Sequence, residues 1–221
     1  VAGAGLALCG MVFQAMFHNP LATPFTLGVA SGASLGAATY VYLGLGFSLL
    51  GIDGVTLSAF VGALLAISFV YSISRLHSGF SPETLLLTGV AISFFFSSLI
   101  LFTQYLSNVS DSFQIIRWLM GSLNTVGYHD LLQLLPFVAF CTLVILYLRR
   151  ELNLLMLGDE LALSRGVAVH HIRYMLFFVS SLCVGAIVAL CGPIGFVGMM
   201  VPHICRLLIG SDHRWLIPAT L

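Results

Sequence analysis

Two windows of this chain, 131–148 and 174–205, contain no Asp, Glu, Lys or Arg, yet the segment between them, Arg149 to Arg173, holds seven of the sixteen charged residues. An uncharged apolar stretch of roughly 20 residues is what a helix needs to cross the hydrocarbon core of a bilayer. Charge therefore clusters where such a chain meets water. Composition agrees: 59% of residues are hydrophobic and 7% charged, against roughly 25% charged in soluble domains. Mean hydropathy is +1.08. No run alternates with the two-residue period of a membrane barrel. The expected fold class is an all-α polytopic membrane protein built as a multi-helix bundle.

Seven full spans and the start of an eighth are expected along the chain. Span one covers Val1 to about Phe17, with Gly3, Ala7, Gly10 and Gln14 on one helical face. His18-Asn19-Pro20 ends it, because proline lacks an amide hydrogen and disfavours a helical residue before it. Span two, about Phe25 to Leu45, carries Gly28, Gly32 and Gly36 at the spacing that lets helices touch backbone to backbone. A turn from Gly44 to Gly54 and span three, about Val55 to Ser74, follow. Ser81-Pro82-Glu83 marks the start of span four, which runs to Leu106. The less apolar segment 107–130 contains IIRWLMGSL, expected as a short helix at the membrane surface, with Trp118 and Tyr128 in the interfacial layer. Spans five, six and seven are 131–148, about 174–190, and the run ending at Arg206. The glycine-rich stretch after Cys191 is a turn between the last two. Asp212-His213-Arg214 forms a loop, and an eighth span begins at Trp215. The opening VAGAGLALCG and the closing IPATL read as cut ends, so residues 1–221 are expected to be a single transmembrane domain truncated at both termini.

If Arg149–Arg173 is cytoplasmic, alternation places seven of the eight arginines inside and only Arg117 outside, as the positive-inside rule requires. There is no lysine, which excludes a Walker A phosphate loop, so any ATP must bind another chain. No acid lies in the middle of a span, which counts against a proton relay and hence against many ion-coupled secondary transporters, the rival class. No catalytic, cofactor-binding or metal-ligating set is expected. The five cysteines form no CxxC pair and read as small buried hydrophobes. Arg206 reads as a snorkelling side chain and His203 as packing or a cap. The stripe of Gly89, Ser93, Ser97 and Gln104 on span four reads either as helix packing or as the lining of a pathway. The charged segment is more apolar than a free connector, with Leu152, Leu154, Leu155, Leu157, Leu161 and Leu163 interleaved with charge. That pattern reads as an amphipathic helical pair for docking another protein.

Four stretches carry a resemblance. They are Gly3–Ala38 (GAGLALCGMVFQAMFHNPLATPFTLGVASGASLGAA), Arg117–Leu123 (RWLMGSL), Leu152–Val167 (LNLLMLGDELALSRGV) and Gly192–Leu221 (GPIGFVGMMVPHICRLLIGSDHRWLIPATL). Together they are similar to the transmembrane permease subunits of type II ABC importers for iron–siderophore complexes, haem and cobalamin.

The resemblance implies a ten-helix permease in which span one here is the family's second. It implies a second permease copy or paralogue, a dimer of ATP-binding ATPase subunits, and a periplasmic or lipid-anchored substrate-binding protein. It implies the bacterial inner membrane as location, no cofactor, and a transport subunit, not an enzyme. Residues 149–173 become the ATPase-coupling loop, centred on Leu157, Gly158, Asp159, Glu160, Ala162 and Gly166. Glu160, Ala162 and Gly166 match an EAA-type motif in which Leu161 replaces the middle alanine. Ser93, Ser97 and Gln104 become pathway-lining residues and Arg117 a docking residue for the binding protein. The expected substrate is a ferric siderophore or related iron chelate, with haem or cobalamin as the alternative.

Overall fold

The computed structural model describes residues 1–49, 51–78, 82–123 and 128–221. Ser81 of the expected helix start lies outside the described residues. Among the described residues the elements in order are α1 (Ala2–Met16), a 3-10 turn (Pro24–Leu27), α2 (Val29–Tyr42), β1 (Ser48–Leu49), β2 (Ile52–Asp53), α3 (Gly54–Ser78), α4 (Pro82–Leu106), α5 (Val109–Leu119), α6 (Tyr128–Tyr147), α7 (Arg149–Leu155), α8 (Asp159–Ser164), α9 (Val169–Cys191), α10 (Val197–Ile209) and α11 (His213–Thr220). The two strands pair antiparallel, Ser48 opposite Asp53 and Leu49 opposite Ile52.

Among the described residues, four helical stretches are long and apolar enough to cross a membrane: Gly54–Arg75, Pro82–Leu106, Tyr128–Tyr147 and Val169–Cys191. The helices expected as spans one, two and seven are shorter, at 15, 14 and 13 residues. A 13-residue helix rises about 20 Å, short of the roughly 30 Å hydrocarbon thickness. The expected span two is shortened because its first turn, Pro24–Leu27, is a 3-10 turn. The expected glycine-rich turn after Cys191 does interrupt the chain before α10. The outward faces of the long helices carry Phe94, Leu101, Phe102, Leu132, Phe140 and Leu143, all exposed, as hydrocarbon contact demands.

The chain forms two compact units. The first contains residues 1–24, 131–183 and 195–221. In it, α1 and α10 meet backbone to backbone: a Cβ added at Gly10 would stand 1.6 Å from the Gly198 carbonyl oxygen. Gln14, on the same face of α1, donates to the Met199 carbonyl at 3.1 Å and accepts from Arg206 Nη2 at 2.9 Å. Arg206, read from the sequence as a snorkelling side chain, is thus also tied to α1.

The second unit contains residues 25–130 and 184–194. Gly32 and Gly36 seat α2 on α3: a Cβ at Gly32 would come within 2.6 Å of the Gly62 carbonyl oxygen, and one at Gly36 within 2.1 Å of that of Ser58. Gly28 departs from the expected stripe. It caps α2 with φ of 77° and faces Ile92 of α4. The short surface helix begins earlier than expected, at Val109, because Asn108 caps it by accepting the Asp111 amide at 2.9 Å. Two of the recognised sequence stretches meet here. Ser122 N–H donates to the Cys191 carbonyl at 2.7 Å, and the Cα of Gly121 would be 2.8 Å from a Cβ placed at Gly192.

Candidate functional site

The charged segment folds as two short helices in the first unit, α7 and α8, joined at Leu157-Gly158. Gly158 has φ of 108° and ψ of 155°, a region open essentially to glycine alone. At the far end, Gly166 N–H donates to Leu163 O at 2.9 Å and Val167 N–H to Ala162 O at 3.1 Å, with Gly166 at φ of 79°. This pair of bonds is a Schellman closure, whose turn position favours glycine. Val169 then starts α9. Two glycines therefore fix where α8 begins and ends.

Polar contacts fasten this pair to the rest of the unit. Arg173 on α9 is 2% exposed and grips both carboxylate oxygens of Asp159, at 2.6 and 2.5 Å. A forked guanidinium–carboxylate pair fixes direction as well as distance. On α7, Asn153 Nδ2 donates to Asp212 at 2.7 Å, while its Oδ1 accepts from the His213 amide at 2.9 Å and lies 2.6 Å from His213 Nδ1. Because Oδ1 only accepts, the His213 proton sits on Nδ1. Nε2 is buried without a hydrogen-bond partner among the described residues. Burial, with a smaller push from the Arg206 charge and against the pull of Asp212, lowers the His213 pKa from 6.5 to about 4. The Arg214 amide, then Asn153, hold the Asp212 carboxyl below the usual range. His18, just past α1, adds a 2.6 Å bond to the Leu155 carbonyl.

The side chains of this pair divide cleanly. Leu152, Leu155 and Ala162 are buried, whereas Leu157, Leu161 and Leu163 are 64%, 56% and 54% exposed. Glu160 is exposed beside them. The result is a rigidly held helix presenting leucines and one carboxylate outward.

The other expected site residues lie in the second unit and do not converge. Ser93 is half-buried, and its hydroxyl donates to Gly89 O in its own helix at 2.8 Å. Gly89 packs on the 3-10 turn, where a Cβ would come within 2.6 Å of Thr26 O. Ser97 is exposed and Gln104 half-buried. A groove of about 700 Å³ runs between α3 and α4, lined by Phe69, Ile73, Glu83, Thr88 and Phe95 among others, but by none of the three. Arg117 is exposed on α5. Among the described residues no ion pair joins it to Asp111.

Sequence reasoning missed Asn153 and the Arg173–Asp159 pair. It also missed the convergence of Cys9, Cys141 and Cys183, which the structure brings together from three helices.

A profile of the FecCD transport family matches residues 1–221. The chain is 40% identical to the cobalamin import system permease protein BtuC of Halobacterium salinarum, over 99% of this chain and 58% of that one. It is 36% identical to the hemin transport system permease protein HmuU of Yersinia pestis, over 99% of this chain and 65% of the relative. The chain thus spans about three fifths of the length of these curated relatives. A solved metal-chelate type ABC transporter in an inward-facing conformation superposes with a TM-score of 0.90 at 35% identity, covering 99% of this chain and 68% of that one. The four stretches noted in the sequence lie within a match that covers the whole chain, and the chain belongs to the FecCD transport family.

Proposed function

We propose that this chain is the transmembrane permease part of an ATP-driven importer in the bacterial inner membrane, and that it carries a ferric siderophore or related metal chelate inward. Residues 1–221 act as one permease domain beside a second copy or paralogue. Residues 149–173 form its cytoplasmic coupling loop, against which an ATPase subunit docks. The observation that carries this reading is the solvent-facing row Leu157, Leu161 and Leu163 beside Glu160, on a helix held by Arg173. Three exposed leucines in the most charged segment of the chain are costly in water and favourable in an interface. Glu160 and the leucines make the contact in this reading, while Gly158, Asp159, Ala162 and Gly166 shape the surface. ATP-driven closure of the ATPase pair moves the loop as a rigid body and switches access to the pathway. Ser93, Ser97 and Gln104 offer uncharged polar groups toward that pathway, and Arg117 a cation toward the external binding protein.

A cobalamin cargo is the second reading, favoured by the 40% identity to the Halobacterium salinarum permease. One experiment tests both levels. The intact protein is purified and its partners identified, and a deletion strain is grown on single siderophores, hemin or cobalamin. Copurification with an ATPase, and growth lost on ferric siderophores alone, is the expected result. Loss on cobalamin alone supports the second reading. Uptake that follows an ion gradient with no ATPase partner overturns the importer assignment.

A further inference from the structure

Cys9 on α1, Cys141 on α6 and Cys183 on α9 are all buried, and their Sγ atoms all lie within 4.8 Å of one another. The Cys9 and Cys141 sulfurs are 3.8 Å apart. Around a tetrahedral or trigonal centre with metal–sulfur bonds of about 2.3 Å, sulfur corners stand about 3.8–4.0 Å apart. The Cys9–Cys141 edge already has that length, and the other two, at most 4.8 Å, would close by up to about 1 Å to hold an ion.

A second observation points the same way. Ser180, one turn before Cys183, is fully buried, and its hydroxyl lies beside the Cys141 thiol. A buried hydroxyl next to the sulfurs places an oxygen acceptor within the same polar cluster. The Ser180 carbonyl already accepts the Cys9 thiol at 3.5 Å.

We propose that Cys9, Cys141 and Cys183 form a three-sulfur site for a thiophilic divalent d10 cation of the zinc and cadmium class, with the Ser180 hydroxyl beside the open position. Soft sulfur ligands select such ions over the hard cations that prefer oxygen. The three helices carry no Asp, Glu, Lys or Arg in the windows around these cysteines, so a neutral complex is the stable one in a low-dielectric interior. Neutrality sets the proton balance. Two S–H bonds are given up, two metal–thiolate bonds form, and both protons leave to the buffer. The third sulfur coordinates through a lone pair and keeps its hydrogen. A bound ion would tie α1, α6 and α9 together at one point.

The test uses the intact protein in lipid nanodiscs under a non-chelating reductant, titrated with Cd(II). Sulfur-to-cadmium charge-transfer absorption and metal content after gel filtration are read together. One cadmium per chain is expected, with two protons released. Occupancy falls by at least about tenfold in each of Cys9→Ser, Cys141→Ser and Cys183→Ser, and is unchanged in Cys191→Ser and Cys205→Ser. Equal occupancy in the three serine variants, or no binding by the folded wild type, overturns the site and leaves the cysteines as packing. Cadmium NMR of the unsubstituted protein counts sulfur ligands even if a variant fails to fold. A signal from oxygen or nitrogen ligands alone would refute the proposal.

Discussion

Asp159 at the start of α8 and Arg173 in the first turns of α9 close a two-bond fork across the Gly166 turn, with the guanidinium 2% exposed. Removing one partner of a buried pair strands the other, at a cost of about 3–5 kcal/mol when both are buried. The Asp159 side chain is 42% exposed, so water screens part of that. Asp159→Ala should cost about 2 kcal/mol, read as a lower melting temperature in detergent. Arg173→Lys keeps the charge and loses the fork, and should fall between wild type and Asp159→Ala. A wild-type melting temperature in Asp159→Ala would show that the fork does not hold α8.

Gly166 tests backbone shape apart from contact. A Cβ there meets nothing within 4 Å, yet φ is 79°. Gly166→Ala should therefore cost about 1–2 kcal/mol through strain alone, and Gly166→Asn less, because asparagine tolerates this region. Gly166→Pro is incompatible with that φ and removes the N–H that bonds Leu163. It should abolish copurification with the ATPase while the protein still inserts. Equal melting of Gly166 and its alanine variant would rule out the Schellman closure as the reason for glycine.

Exposed positions separate docking from stability. Leu157→Asp, Leu161→Asp and Glu160→Arg change groups with little packing to lose, so melting should shift by no more than about 0.5 kcal/mol equivalent. Under the docking reading each change places an unfavourable group in an interface, and retention of the ATPase on an affinity column should drop about tenfold or more. Retained ATPase binding and uptake in all three would sink the docking surface.

What the sequence discloses here follows from range. Gly32, Gly36 and Gly10 announce close helix contact because small residues at helical spacing have few other uses, and each does sit against a backbone. Gly28 obeys the same spacing but serves a different purpose, because the 3-10 turn Pro24–Leu27 delays the start of α2 to Val29 and leaves Gly28 as its cap. Arg173 counts with the exposed arginines in a topology argument, and its burial depends on Asp159, which a turn at Gly166 brings back to it. The cysteines are less legible still. Cys9 and Cys141 are 132 positions apart, and no local pattern links helices that meet only in three dimensions.

His213 carries a pH prediction. Its imidazole is held neutral, the Nδ1 proton engaged by Asn153 and Nε2 buried without a partner. The folded pKa of about 4 lies below the ordinary 6.5, so between those values the unfolded chain binds more protons than the folded one. Stability therefore rises with pH in that window. The contribution is complete above about pH 6.5 and is lost as pH falls toward 4, to a limit of about 3 kcal/mol. The charged groups that bear on this ring are Arg206, which opposes protonation, and Asp212, which favours it. His213→Gln cannot titrate, so its melting temperature should change less between pH 7.5 and 4.5 than that of wild type. Asn153→Ala should lower the melting temperature at both pH values, because it frees Asp212 and the His213 amide together. Parallel pH curves for wild type and His213→Gln would show that another group sets the acid limit of this fold.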